Sequence, residues 1–199
     1  MNVHTHTPAP GAIYNLTFDE MLQSPPYPVE EQWLSVGIHP WKVTEDWEVH
    51  FEHVREWAQF PQVKAIGECG LDHVVVTPCQ AEAFKAHVLL AEEVQKPLLI
   101  HCVKAVDELL AIKREMKPLQ PWIFHGFRGK PQQAEQLLRA GFHLSFGEHF
   151  NPQAVRLCPA DRLCLETDES TLTIQEISQR INQECREVQE SCAKDLFLK

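Results

Sequence analysis

Basic residues are the scarce class in this chain. Its 18 lysines and arginines stand against 28 aspartates and glutamates, a formal net charge of −10. A continuous cationic face that tracks along nucleic acid is therefore excluded. A small anion site is not, because bound divalent cations reverse the local field. Long apolar runs are missing too: none approaches the roughly 18 residues that mark a membrane helix, and no secretory leader is expected. Among 7 cysteines there is no Cys-x-x-Cys pair, which argues against zinc knuckles and dithiol redox motifs. Cys69, Cys102 and Cys164 fall inside apolar stretches and read as buried thiols, so the expected compartment is a reducing cytoplasm. No internal repeat, low-complexity run or Gly/Ser linker interrupts the chain. Residues 1–199 are read as one domain, long enough to bury a core and without membrane association. A monomer is expected.

What the sequence does hold is alternation. Short apolar runs at 2–6, 12–16, 33–38, 63–68, 98–102, 122–125, 143–146 and 163–166 read as strands. Amphipathic stretches at 45–57, 79–94, 105–116, 132–140 and from Ile174 onward read as helices. In the second of these, Phe84, His87, Val88 and Ala91 form one apolar stripe at helical spacing. Alternating strands and helices call for parallel strands joined by crossovers, and eight strands favour a closed (β/α)8 TIM barrel, an α/β fold. Such barrels typically take about 250 residues, so this one must be trimmed. Only Thr7–Gly11 separates the first two runs, too little for a crossover helix. We expect the first helix to be lost and the second to be a stub around Phe18–Gln23. The Ser24–Pro28 segment, with three prolines, is expected to be a stiff surface connection.

Six potential metal ligands stand near the ends of these runs: His4 and His6, then Glu68, His101, His125 and Asp168. One apolar run ending in a lone histidine or carboxylate means little. Five such runs in one chain read as a ring of strands presenting ligands at a common end, as a metal-dependent hydrolase on a β/α barrel would. His4 and His6 are two apart, so both face one side of their strand. Glu68 has two oxygens and can bridge two ions, and His101 and His125 are candidates for the second. Asp168 can hold metal, orient a water and take its proton as general base. Glu166 shares its face and can support the site. Asp72, past the Gly70 turn, is a supporting group, a substrate contact or a turn residue. Ligands of this type accept magnesium, manganese or zinc, among other metals.

Three motifs, Val36-Gly-Ile-His-Pro-Trp41, Ala65-Ile-Gly-Glu-Cys-Gly-Leu-Asp72 and Leu165-Glu-Thr-Asp168, resemble the signatures of the TatD family of metal-dependent deoxyribonucleases. So do Gln80-x-x-x-Phe84-x-x-His87 and the strand-end His101 and His125. The resemblance implies a barrel of the amidohydrolase superfamily with two divalent ions. His4, His6, Glu68 and Asp168 would hold one, and Glu68, His101 and His125 the other, with Glu68 and Asp168 catalytic. It further implies hydrolysis of phosphodiesters, with DNA ends or single-stranded DNA as substrate and His39 as a substrate contact at the mouth. There are departures. Asn2 stands where the family commonly has Asp, Ser170 replaces a customary Pro, and Val103 occupies the position of a usual Arg. Lys104 follows one later, where strand alternation would turn it away, so Arg128 in His125-Gly-Phe-Arg-Gly129 is expected to supply the phosphate-binding cation. Trp41, beside the mouth motif, is either a stacking surface for a base or a packing residue. The alternative reading is a metal-dependent hydrolase of small amides, lactones or phosphate esters, since one fold hosts many chemistries.

Overall fold

The computed structural model describes residues 1–22, 32–185 and 196–197. Eight parallel strands close into a barrel in chain order: β1 (Asn2–Thr5), β2 (Ala12–Asn15), β3 (Trp33–Val36), β4 (Val63–Asp72), β5 (Leu98–Val103), β6 (Trp122–Phe124), β7 (Phe142–Phe146) and β8 (Leu163–Leu165). Asn2 pairs with Leu165 to join the first strand to the last. Outside lie α1 (Phe18–Met21), α2 (Trp47–Trp57), α3 (Gln80–Val94), α4 (Val106–Met116), α5 (Pro131–Arg139), α6 (Pro152–Leu157) and α7 (Ile174–Glu184).

The trimming falls where the sequence placed it. Residues 6–11 join β1 to β2 without a helix. At about 3.3 Å per residue they reach far enough to bring the chain back beside so short a strand. α1 is one turn, closed at its start by a capping box in which the Thr17 side chain accepts from the Glu20 amide and Glu20 reaches back to Thr17. α6 was not anticipated, although its start was readable: Asn151 caps the amides of Gln153 and Ala154, and Pro152 occupies the first turn. The Ser24–Pro28 segment lies outside the described residues, as does most of the tail beyond Cys185.

Strand alternation sorts the apolar side chains into two cores. Leu98, Ile100, Trp122, Phe124, Leu144 and Leu163 face outward into the layer packed under the helices. Val3, Ile13, Ala65, Leu99, Ile123 and Cys164 point into the barrel and fill its lower half together with Phe197. Met1, Leu196 and Trp33 pack against this inner core, so Leu196–Phe197 closes the barrel at the end where the strands begin. No helix among the described residues is long and apolar enough to cross a membrane.

Candidate metal centre

The opposite end, where the strands finish, is polar. Gly67 (φ +134°) and Gly70 (φ +152°) let β4 approach β5 so closely that a Cβ at Gly70 would lie 1.9 Å from the His101 carbonyl oxygen. Only glycine tolerates that conformation and that approach. Between these two residues, Glu68 is carried into the centre of the mouth. Its backbone amide donates to Asn15 Oδ1 at 2.8 Å, and Asn15 is itself held by Ser35 Oγ at 3.1 Å.

Five imidazoles converge on the Glu68 carboxylate. Oε2 lies 3.5 Å from both His4 Nε2 and His6 Nε2. Oε1 lies 2.8 Å from His125 Nε2, 2.9 Å from His101 Nδ1 and 3.3 Å from His39 Nε2. Asp168 Oδ1 completes the first group, 3.6 Å from each of His4 Nε2 and His6 Nε2. Asp168 takes a left-handed backbone (φ +53°), uncommon away from glycine, just past β8. All six residues expected from the strand ends are thus brought together. Compact groups of donor atoms form from His4, His6 and Asp168, from His4, Glu68 and His125, from His125, Glu166 and Asp168, and from His39, Glu68 and His101. Sequence reasoning did not place His39 so close to the carboxylate.

The donors fit divalent cations. Ligands about 2.1 Å from one ion at near-tetrahedral angles stand roughly 3.4 Å apart, close to the 3.5–3.6 Å separations around His4, His6, Glu68 and Asp168. His4 is fully buried, yet neither of its ring nitrogens has a hydrogen-bond partner. A buried polar group left so is costly unless something else satisfies it. Electrostatics point the same way. Burial opposes ionisation of Glu68, but the neighbouring His125 charge and hydrogen bonds from His101, His125 and His39 hold it well below the usual carboxylate range. Burial opposes charge on His125 as well, and Glu68 and Glu166 nonetheless raise its pKa. A hydrogen bond to Glu68 raises His6 against its desolvation. The cluster therefore draws positive charge to itself.

Supporting groups set the ring orientations. Asp72 is 1% exposed and has no free edge for a substrate. Its Oδ1 accepts from the amides of Val74 and Val75, while Oδ2 accepts from Trp41 Nε1 at 2.6 Å and lies 3.1 Å from His101 Nε2. Of the roles the sequence left open for Asp72, this is the supporting one, and it turns His101 Nδ1 toward Glu68. Glu166, fully buried, stands 3.5 Å from His125 Nδ1 and accepts from the Gly126 amide. Gln80 and His87 of the helical motif hold loops. Gln80 accepts from the Asp72 amide and donates to Val75 O, and His87 Nε2 accepts from the Ile38 amide at 2.9 Å. Asn2 takes a role its substitution for Asp did not suggest. Its Nδ2 donates to Thr167 Oγ1 at 2.8 Å and its Oδ1 accepts from the Thr167 amide, clipping β1 to the segment that carries Asp168.

Above the cluster opens a cavity of about 1120 Å³, lined by His6, His39, Trp41, Lys42, Lys104 and Arg128 among others. Arg128 lines this cavity. Lys104 is not turned away: its left-handed backbone (φ +54°) breaks the alternation, and it lines the cavity beside Val103. Among the described residues none of Lys42, Lys104 and Arg128 has an ion-pair partner. Trp41, 52% exposed, presents its ring at the same rim.

The sequence model of the TatD related DNase family matches residues 17–193. The chain is 34% identical over 149 residues to the "3'-5' ssDNA/RNA exonuclease TatD" of Erwinia billingiae (strain Eb661), covering 68% of this chain and 57% of that protein. It is 33% identical over 150 residues to the "uncharacterized metal-dependent hydrolase YabD" of Bacillus subtilis (strain 168), covering 70% and 59%. It thus spans less than two thirds of the curated relatives it matches. Its fold is similar to that of YjjV, a TatD homologue from Escherichia coli K12. The TM-score is 0.72 over 93% of this chain and 82% of that one, at 19% identity. With the match extending over nearly the whole sequence, the chain belongs to the TatD related DNase family.

Proposed function

We propose that the chain is a metal-dependent hydrolase that cleaves phosphodiesters at the ends of DNA or in single-stranded nucleic acid. The observation that carries this reading is the Glu68 carboxylate ringed by imidazoles, with Asp168 beside His4 and His6. His4, His6, Glu68 and Asp168 would hold one ion, and Glu68, His101 and His125 a second. Divalent ions held there would lower the pKa of a water and offset charge at phosphorus. Magnesium, manganese and zinc all suit these donors.

The chain's own residues do the rest. Asp168 Oδ1 faces the two histidines, and its second oxygen accepts the proton of the attacking water. Burial raises the Asp168 pKa, but the nearby imidazoles of His4 and His125 lower it overall, so the carboxylate is ionised and ready to accept. Lys42, Lys104 and Arg128 offer unpaired cations to substrate phosphates, which favours a phosphodiester over a neutral amide or lactone. Trp41 offers a ring for one base. So few phosphate contacts suit a chain end better than a long duplex, in keeping with the net charge of −10. The exonuclease name of the Erwinia relative supports the same substrate class. Burial raises the Cys102 thiol to about 12 and Cys69 upward too, so both are unreactive structural thiols. A monomer has every donor it needs.

The test is release of mononucleotides from single- and double-stranded DNA with free 3′ or 5′ ends, with magnesium, manganese or zinc added. Metal-dependent release that disappears in Asp168→Asn and Glu68→Gln is the expected result. No release from protein that elemental analysis shows to be loaded would overturn it.

A further inference from the structure

The mouth opens sideways as well as outward. A second cavity of about 390 Å³ joins it past Gly126, Phe127 and Asp168, which line both. A third, of about 730 Å³, continues from the second through Arg128 and His149 and runs on past Phe150, Gln153 and Arg156. Arg128 lines all three. They form one trough that leaves the cluster over the turns after β6 and β7 and ends along α6. Its basic side chains stand in file. Arg128 is at the near end, His149 where the two outer cavities meet, and Arg156 beyond, all three exposed. Arg156 is tied down by one bond, from Nη2 to the Glu184 carbonyl oxygen. A guanidinium has five N–H donors, so most of them stay available to a ligand.

Carboxylates on the same walls are mostly engaged. Glu148 accepts from Ser170 Oγ at 2.6 Å and lies 3.6 Å from Arg180 Nη1, while Glu166 is buried and accepts from the Gly126 amide. Asp168 faces the ion cluster, which leaves Glu169 and Glu184 to oppose an anion. We infer that the trough carries a single strand of nucleic acid away from the mouth. With the scissile phosphate at the cluster, the phosphates that follow it meet Arg128, then His149, then Arg156. The partly exposed Phe150 ring stacks on a base beside them. A single strand bends along such a file, whereas a duplex of the same length is stiff. So short a row of contacts also agrees with a net charge of −10. The ligand class rests on the phosphodiester reading above, whereas the path is read from the trough.

Strand length is the test. Dithymidylate fills only the mouth, and hexathymidylate reaches the trough. The ratio of kcat/KM for the longer substrate to that for the shorter should therefore be about ten or more in the metal-loaded wild type. It should fall about threefold in His149→Ala and in Arg156→Gln, because exposed charges contribute modestly. Arg156→Lys should recover most of the ratio, and thermal melting will show that each variant is folded. Salt separates a phosphate contact from a structural effect. The slope of log KM for hexathymidylate against log salt should become shallower by about 0.7 in Arg156→Gln, the value of one phosphate on a single strand. A wild-type ratio near one, or a slope that Arg156→Gln leaves unchanged, would overturn the inference and leave the proposed function standing. Titration calorimetry on metal-free protein reads the trough without turnover. Hexathymidylate should bind more tightly than dithymidylate, and Arg156→Gln should remove about a threefold share of that difference. Should the wild type hydrolyse no phosphodiester, the proposed function falls. The titration then decides the trough alone, and equal affinity for the two lengths would sink it.

Discussion

On a single strand, two residues separate one chemistry from its opposite. Leu99, Ile123 and Cys164 point into the apolar floor of the barrel, and His101, His125 and Glu166, each two positions on, belong to the polar mouth. Strand alternation puts each pair on one face, so the protein changes environment along the barrel axis without changing its scaffold. The floor is satisfied by burial alone, at about 25 cal/mol per Å² of apolar surface removed from water. The mouth buries carboxylates and imidazoles whose needs the fold leaves partly unmet, His4 above all. Stability and chemistry are therefore assigned to opposite ends.

Substitutions at the two ends should separate accordingly. Glu68→Gln should remove bound metal and lower turnover by about a thousandfold or more, roughly 4 kcal/mol in the barrier. Metal-free Glu68→Gln should melt below metal-free wild type, because His125 and His6 lose the carboxylate that compensates them. Elemental analysis beside calorimetry checks both. Phe197→Ala should cost about 3–5 kcal/mol of stability with metal content and turnover per folded molecule unchanged. Denaturant titration will show it, and an equal loss of bound metal would mean that floor and mouth are not independent.

His87 sharpens the comparison, being a buried histidine that serves the mouth through backbone. Burial lowers its pKa from 6.5 to about 4. Between those values the unfolded chain binds a proton that the folded one does not, so stability is fully present above pH 6.5 and is lost as pH falls toward 4. The contribution is at most about 3 kcal/mol. Metal-free wild type and His87→Leu, unfolded by urea at pH 7.5 and pH 5, should differ in slope by that component. The smallest effect belongs to the rim. Lys104→Ala and Arg128→Ala should each raise KM for a phosphodiester about three- to tenfold, with metal content and kcat little changed. These are exposed charges, and exposed contacts contribute little each.

The barrel and the gathering of six strand-end residues at its mouth were legible because both are written in periodicity. Apolar runs of strand length ending in His, Glu or Asp state the fold and the mouth together, and the meagre Thr7–Gly11 spacing gave away the missing helix. Three things were hidden for different reasons. Lys104 was misread because alternation assumes extended backbone, and its left-handed φ of +54° breaks that assumption. Asp72 and Asn15 leave no periodic trace; their roles exist only once β2, β4 and β5 stand side by side. His39 is oriented by a single backbone amide, that of Trp41 donating to its Nδ1, which a motif cannot display. Gln80 and His87 were visible as a pattern, but that pattern did not say they fasten loops rather than bind anything.

The ring is closed by Asn2 and Thr167, 165 positions apart, and the same seam sets His4 and His6 against Asp168. During synthesis the first histidines emerge long before their carboxylate partner does. A piece of the chain without β8 lacks Asp168, which is joined to the opening strand only when the circle is complete. An ion held by His4, His6 and Asp168 would therefore report that the barrel has been finished, and a chain stopped short of its eighth strand would hold its early histidines without the carboxylate beside them.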